Sequence, residues 1–227
     1  MTKFKTKHKA FALTKMRAAA LIIAALLTPA LMFTGCKQSA GGSNEGGSSG
    51  GSSSGGGTVP KAPFVEGGAS PVLSTDKLDI TVKVTTSDGT PVRIEGCTET
   101  ELTNNTETVL HAKGTAVILK GKIIKLEYAG NQLTALNVQG LTALKWLRCD
   151  SNRLNADAFK KLFADLPVRA DSDNTKYWLY IEQTGVTEGN HTDFSTPSDL
   201  AAAFNNAKTV KKWKMYKWNG SGHSVEL

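Results

Sequence analysis

The apolar positions between Ile123 and Leu154 follow one pattern twice. Each copy fits L-x-x-L-x-L-x-x-N-x-L, and the two copies are offset by 21 residues, since Asn131 corresponds to Asn152. Alternating apolar residues predict a strand with one face in the core. The Asn is expected to hydrogen-bond backbone groups where the chain leaves that strand. The pattern positions are Ile123, Leu126, Tyr128, Asn131 and Leu133 in the first copy and Leu144, Leu147, Cys149, Asn152 and Leu154 in the second.

A fixed period in the twenties with this pattern is typical of leucine-rich repeats, which contribute one strand per repeat to a parallel sheet. The alternative is two unrelated strands of similar sequence, but five positions that match at one offset argue against coincidence. We therefore expect an α/β fold. It is a short leucine-rich repeat solenoid with a parallel sheet and two C-terminal helices, capped N-terminally by a small antiparallel β unit.

The segment before the repeats, residues 73–120, is predicted to be this cap. Apolar and polar residues alternate from Leu78 to Val84 and again at Val92 and Ile94, with a turn at Asp88-Gly89 between them. A terminal repeat needs a cap because one side of its core would otherwise be exposed. A separate immunoglobulin-like domain is the alternative, but about 45 residues are too few for its seven strands.

Residues 121–227 are assigned to the repeat domain, with irregular repeats at the C-terminal end. Asn155 can cap a helix that Pro167 ends, and Thr196-Pro197-Ser198-Asp199 is a strong start for a second helix. Strands are expected at Tyr177–Glu182 and around Trp213 and Met215. The apolar residues at helical spacing are Phe159, Leu162, Phe163 and Leu166 in the first helix and Leu200, Ala203, Phe204 and Ala207 in the second.

The N-terminal residues 1–35 are predicted to be a cleaved signal peptide. Residues 1–17 are basic and carry no acid, residues 18–33 are apolar apart from Thr28 and Pro29, and Phe33-Thr34-Gly35-Cys36 follows. This segment resembles a bacterial lipoprotein signal with its lipobox, which implies cleavage before Cys36 and lipidation of that residue. The alternatives are an uncleaved anchor and a plain secretory signal, and translation could also start at Met16.

Residues 36–72 are expected to be a lipidated Cys followed by a flexible tether. The chain from Ser39 to Thr58 is almost wholly Gly and Ser, which cannot bury apolar surface. Pro60, Pro63 and Pro71 would stiffen the approach to the folded head without adding a core. We therefore expect the head to begin near Leu73 to Leu78, held away from a membrane.

The positive charge of the chain belongs mainly to the signal peptide. The whole sequence carries a formal charge of +7, from 27 basic and 20 acidic residues. Six of the basic residues precede the predicted cleavage site, so the mature chain would have 21 basic and 20 acidic residues. This balance gives no support to nucleic-acid binding. The six are Lys3, Lys5, Lys7, Lys9, Lys15 and Arg17.

The segment from Gly130 to Leu144 carries a more specific resemblance. It contains Asn131-Gln132-Leu133-Thr134-Ala135-Leu136, followed by Gly140-Leu141-Thr142-Ala143-Leu144. This resembles the leucine-rich repeat surface lipoproteins of oral and host-associated bacteria, which also often place Cys or Tyr in the third strand slot. The resemblance covers roughly residues 109–163 and implies a non-enzymatic binding or adhesive role at the cell surface. With only two clear repeats, the expected binding surface is small.

The strand residues between core positions are predicted to form an exposed binding face. Aromatic and Arg side chains together are the residue types of interaction hot spots. The alternative is that some of these aromatics pack under a loop or cover the sheet edge. Lys214, Tyr216 and Trp218 of the last strand are expected beside them on the same face. The predicted ligand-binding residues are Lys125, Glu127, Trp146, Arg148, Asp150, Trp178, Tyr180 and Glu182.

The five lysines from Lys208 to Lys217 surround Trp213, Tyr216 and Trp218. Such a cluster could bind nucleic acid or anionic lipid. We favour edge protection, in which lysines on a final strand prevent pairing with other chains. We therefore expect no nucleic-acid partner.

Few residues point to catalysis or to metal binding. Cys97 and Cys149 are expected to be unpaired and buried, with a disulfide as the alternative. His111, His191 and His223 stand at no recognisable spacing from Asp, Cys or Ser, and no P-loop, H-E-x-x-H or G-x-S-x-G is present. Residues 171–174 lack the Gly and the distal Glu of a calcium loop. We expect no cofactor, no metal and no enzymatic activity.

The sequence therefore predicts a membrane-anchored, extracytoplasmic lipoprotein, on a bacterial outer membrane or cell surface, whose head binds a protein or glycan. The alternative is a structural envelope lipoprotein without an external ligand. A glycan-processing enzyme with an unrecognised site is a more distant third hypothesis.

Overall fold

Alternating apolar residues build most of the strands in the computed structural model, which describes residues 61–220 and 223–227. In β2 every second residue is buried. Val92 and Ile94 in β3 and Leu147 in β9 are likewise buried. The predicted signal peptide, Cys36 and the tether up to residue 60 lie outside the described residues. The strands are β1 Gly68–Leu73, β2 Asp79–Thr86, β3 Val92–Glu95, β4 Glu101–Leu102, β5 Thr108–His111, β6 Ile118–Lys120, β7 Ile123–Glu127, β8 Leu133–Asn137, β9 Trp146–Arg148, β10 Lys176–Ile181, β11 Lys214–Trp218 and β12 Ser224–Glu226.

Two α-helices are present in the described part of the chain, α1 at Ala156–Asp165 and α2 at Ser198–Thr209. Asn155 caps α1 as predicted, since its Oδ1 accepts a hydrogen bond of 2.9 Å from the Ala158 amide. Helix α2 begins within the predicted start Thr196-Pro197-Ser198-Asp199, but its N-cap is Pro197 and no side chain forms a capping hydrogen bond. Neither helix is long and apolar enough to cross a bilayer.

The strands form two sheets. A five-stranded sheet has the order β4-β3-β6-β1-β8 and is antiparallel throughout. A seven-stranded sheet has the order β12-β11-β10-β9-β7-β2-β5, in which β7, β9, β10 and β11 are mutually parallel and the flanking strands are antiparallel. One apolar cluster includes residues from both sheets and both helices, so the two layers share a core.

The helices lie on one side of the seven-stranded sheet. The ring of Phe163 in α1 is 6.1 Å from that of Tyr177 in β10, and Tyr177 is fully buried. Helix α1 also packs against α2 and β8. Trp178 follows Tyr177 in the strand and therefore points to the opposite side, which no helix of the described chain covers.

The predicted fold class is wrong. A leucine-rich repeat solenoid requires a repeated parallel unit, whereas the described residues form mostly antiparallel and mixed sheet with only two helices. The difference arises after Asn131, because β8 pairs antiparallel with β1 along Ser70↔Asn137 to Leu73↔Leu133. The repeated sequence pattern thus contributes β7 and β9, two of four parallel strands, to a mixed two-sheet fold.

The head begins earlier than predicted. Every residue of β1, Gly68–Leu73, is buried, although the sequence assigned residues up to 72 to the tether. The strand lies between β6 and β8 in the five-stranded sheet. The sequence signal was weak because β1 contains Pro71 and small residues, and its pairing partners are far along the chain.

Edge protection does not explain the lysine cluster. Strand β11 is not an edge, since β12 pairs with it from Tyr216↔Glu226 to Trp218↔Ser224. Lys211 instead donates to the carbonyl oxygens of Phe163, Ala164 and Leu166 at the end of α1.

Candidate functional site

The side of the parallel strands opposite the helices is the candidate site, and we call it the outer face. Adjacent strands hold their side chains about 4.8 Å apart in register. Two rows of side chains therefore cross this face from strand to strand. The first row is Thr85, Lys125, Trp146, Lys176 and Lys214, and the second is Lys83, Glu127, Arg148, Trp178, Tyr216 and Glu226.

Three buried Asn residues fix the strand ends behind these rows. Asn152 Oδ1 accepts hydrogen bonds of 3.0 Å from the amides of Asn131 and Leu133, and its Nδ2 donates to three carbonyl oxygens. Asn131 Oδ1 accepts a hydrogen bond from the Thr81 amide in β2, and its Nδ2 donates to the Thr81 carbonyl oxygen. Asn190 donates to the carbonyls of Cys149 and Leu179 and accepts from the Leu154 amide. These amides join consecutive strands, so the register of the outer face is rigidly set.

An aromatic row runs across β9, β10 and β11 on the outer face. The rings of Trp146 and Trp178 are 5.3 Å apart and edge-on, and those of Trp178 and Tyr216 are 5.4 Å apart and nearly parallel. Trp178 Nε1 donates a 2.7 Å hydrogen bond to Ser224 Oγ in β12. Trp146 Nε1 is buried and has no hydrogen-bond partner among the described residues. All three side chains are half-buried, so each retains accessible surface.

A depression of about 360 Å³ lies beside Trp146 at one end of the parallel strands. Lys125 Nζ stands 4.8 Å from the centre of the Trp146 ring, within cation–π distance. Lys125, Lys176 and Lys214 make no ion pair among residues 61–220 and 223–227. The depression is lined by Trp146 and Trp178, by Lys125, Lys145 and Lys176, and by Asp173 and Asn174.

Asp173 is the acidic side chain in the lining of the depression. Its carboxylate lies 2.7 Å from Lys145 Nζ and 3.0 Å from an Arg169 guanidinium nitrogen. The hydrogen bond from Lys145, the Ala170 amide and both positive charges lower the pKa of Asp173 to about 2. Asp173 is therefore ionised, and the positive charges of Lys145 and Arg169 offset its charge. The three lysines of the lining leave the depression with a net positive charge.

Five of the eight predicted binding residues lie on the outer face: Lys125, Glu127, Trp146, Arg148 and Trp178. Asp150 does not present its side chain to solvent, because it is 1% exposed and held by Arg148 through hydrogen bonds of 2.7 and 3.3 Å. It positions the guanidinium. Glu182 lies beyond the end of β10, exposed and paired with Lys217.

Tyr180 is on the helix side, which corrects its predicted position. A register shift between Trp178 and Tyr180 breaks the alternation of β10. Tyr180 is consequently 8% exposed, with its ring 6.1 Å from that of Phe194, and burial raises the pKa of its hydroxyl.

Sequence reasoning missed Lys145, Lys176 and Asn190. Lys176 alternates with Trp178, so an earlier start for β10 would have found it. Asn190 is separated from β10 by the loop 182–189, which hides its correspondence to Asn131 and Asn152. Glu188 in that loop accepts hydrogen bonds from the amides of Ser151, Ile181 and Asn190, and so holds Asn190 in place.

Both cysteines of the described chain are buried free thiols, as expected. Burial raises the pKa of Cys97 to about 11 and raises that of Cys149 further. Cys149 Sγ lies 3.1 Å from the Tyr177 hydroxyl in the core. No group of three His, Cys, Asp or Glu side chains that could hold a metal ion occurs within the described ranges.

No protein-family model matches this chain, and neither a curated protein nor a solved structure was found to be similar to it.

Proposed function

We propose that this chain is a lipid-anchored, extracytoplasmic binding protein of a bacterial envelope, whose outer face captures a protein or glycan without catalysis. The observation that carries the proposal is the aromatic row Trp146–Trp178–Tyr216, flanked by lysines that have no acidic partner in the described ranges. Soluble sheet surfaces are normally covered by charged and polar side chains and expose few large aromatics. Half-buried Trp and Tyr beside Arg are instead the residue types that carry binding energy at interfaces.

The rigidity of the face supports the same proposal. The Asn bonds fix the strand register, the Arg148–Asp150 pair holds one guanidinium, and Ser224 holds the Trp178 indole. A surface that is ordered before a partner arrives loses little conformational entropy on binding.

The proposed membrane anchor rests on the sequence of residues 1–36, which lie outside the described residues. In the proposed mature form Cys36 carries acyl chains, each buried methylene of which stabilises membrane attachment by about 0.8 kcal/mol. Cys36→Ala should move the protein from the membrane fraction to the soluble fraction of cells. Unchanged membrane retention would disprove lipid anchoring.

A bulky adduct on the outer face tests binding directly. Glu226→Cys places a thiol on exposed β12, in register with Tyr216, and Ala202→Cys places one on exposed α2 as a matched control. Each variant is coupled to maleimide-polyethylene glycol, to which the buried Cys97 and Cys149 should react poorly. Both are then applied to an array of glycans and matrix proteins.

Coupling at position 226 should abolish capture that the uncoupled Glu226→Cys variant shows, whereas coupling at position 202 should preserve it. Capture that survives coupling at position 226 would contradict binding through the outer face. A full chain that captures nothing on the array would favour the structural envelope role.

A further inference from the structure

We infer that the depression beside Trp146 binds an acidic saccharide, through carboxylate or sulfate groups on its sugar units. This inference deepens the proposed function and rests on it, because it assigns a ligand chemistry to the same outer face. Three features carry it: the charge of the depression, its size and lining, and the continuation of the lysine row.

The charge of the depression favours an anion. Lys125 and Lys176 are the register neighbours of Trp146 on either side. Their Cα positions are therefore about 10 Å apart, with the indole between them. Neither lysine has an ion-pair partner in the part of the chain that the structure describes, and Asp173 is neutralised by Lys145 and Arg169. An incoming carboxylate or sulfate would meet two uncompensated ammonium groups.

The size and lining favour a sugar unit over a protein segment. A volume of about 360 Å³ lies in the range of small-molecule sites, whereas a stable protein interface covers about 800 Å² on each partner. The edge-on Trp146 and Trp178 rings give an apolar corner that suits the C–H face of a pyranose. Asp173 and Asn174 in the lining offer polar atoms to hydroxyl groups.

The lysine row continues beyond the depression. Lys214 is paired with Lys176 in register, so it stands one strand further along the same row, about 5 Å away. It is exposed and makes no ion pair in the described ranges. A second charged group of a polymer that crosses the strands would therefore also be neutralised, which favours a polysaccharide over a single acidic sugar.

The test compares four probes on the full-length protein in detergent micelles. The probes are a heparin octasaccharide, an oligogalacturonate of about eight units, neutral maltooctaose and an octaglutamate peptide. Affinities are measured by calorimetry at about 0.15 M salt, where exposed charges still interact over about 8 Å. Lys125→Gln/Lys176→Gln removes the two flanking charges, and Lys61→Gln/Lys113→Gln removes two exposed charges elsewhere as the control.

We expect at least one acidic oligosaccharide to bind, and the Lys125/Lys176 variant to bind it about tenfold or more weakly. The control variant should change affinity by less than about twofold. Maltooctaose and octaglutamate should bind at least about tenfold more weakly than the acidic saccharide.

Three results would overturn the inference: equal binding of maltooctaose, equal binding of octaglutamate, or equal weakening by both lysine pairs. The two proposals fail separately. If neither acidic oligosaccharide binds but coupling at position 226 still blocks capture of another ligand, the acidic saccharide is excluded and the binding face stands. If an acidic oligosaccharide binds despite coupling at position 226 and is weakened equally by both lysine pairs, it binds elsewhere on the chain and both proposals fail.

Discussion

The side-chain oxygen of Asn152 accepts a hydrogen bond of 3.0 Å from the backbone amide of Asn131, the residue that corresponds to it 21 positions earlier. The two Asn side chains are 2% and 0% exposed. Each satisfies backbone groups that would otherwise be unpaired beneath the sheet. This contact ties the end of β9 to that of β7, and so holds Trp146 and Arg148 beside Lys125 and Glu127.

Asn152→Ala should strongly destabilise the head. Its Oδ1 accepts from two buried amides and its Nδ2 donates to carbonyls of Tyr128, Cys149 and Asp150. Because these groups would lose their partners inside the core, we expect a loss of about 3–5 kcal/mol in the free energy of unfolding. Thermal denaturation should show a fall of about 10 °C in Tm.

Asn205→Ala is the matched control, since Asn205 is exposed on α2. It should change the free energy of unfolding by less than about 0.5 kcal/mol. Equal effects of the two substitutions would contradict the structural role of Asn152.

Lys211→Met should destabilise the end of α1. Lys211 Nζ donates to three carbonyl oxygens there, at 3.0, 2.5 and 2.8 Å, while Met retains most of the apolar stem. We expect a loss of about 1–2 kcal/mol in unfolding free energy, measured by urea denaturation. Lys212→Met, beside it, removes only an ion pair of 3.7 Å with Asp171 and should cost about 0.5 kcal/mol or less. A larger effect at Lys212 would contradict the capping role of Lys211.

The His111–Glu99 pair should make stability depend on pH. His111 Nδ1 lies 2.6 Å from Glu99 Oε1, and the His111 amide donates to Oε2 at 2.9 Å. The hydrogen bond and charge of Glu99 raise the pKa of His111, and His111 in turn lowers the pKa of Glu99 to about 2. The histidine contribution is full below its unfolded pKa of about 6.5 and is lost as pH rises through the raised folded value.

The glutamate contribution has the opposite sign of pH dependence. It is full above the unfolded pKa of about 4.3 and is lost as pH falls toward about 2. The Tm difference between the wild type and His111→Gln should therefore be largest near about pH 5.5 and smaller near about pH 8.5. Glu99→Gln should abolish this trend. A difference that instead grows as the pH is raised across that range would refute the pairing.

Local patterns predicted those elements whose burial is decided by their own residues. Helix α1 begins after Asn155 and buries Phe159, Leu162 and Phe163, as the helical spacing indicates. Strands β7 and β9 place Leu126 and Leu147 in the core, and β9 leaves Trp146 and Arg148 half-exposed. For these segments the hydrophobic period alone fixes which face is buried.

The features that local sequence patterns did not predict depend on contacts between residues far apart in the chain or on irregular backbone. Strand β8 follows a repeat-like pattern, yet it pairs with β1, about 60 or more residues earlier in the chain. This pairing places β8 in the five-stranded sheet and not beside β7 and β9. The register shift in β10 turned Tyr180 inward, which strict alternation could not indicate. The lining of the depression also includes Lys145 and Asn174, which come from loops outside any strand pattern.

Fluorine NMR of the full chain with 5-fluorotryptophan tests binding at the outer face most directly. Trp146 and Trp178 lie on that face, whereas Trp213 is 1% exposed and donates from Nε1 to Pro167 behind the sheet. Trp→Phe variants assign the signals. Addition of the array ligand that the chain retains most tightly should shift the Trp146 and Trp178 signals and leave Trp213 unchanged. Saturating ligand that leaves Trp146 and Trp178 unmoved, or that moves Trp213 as far, would contradict the account.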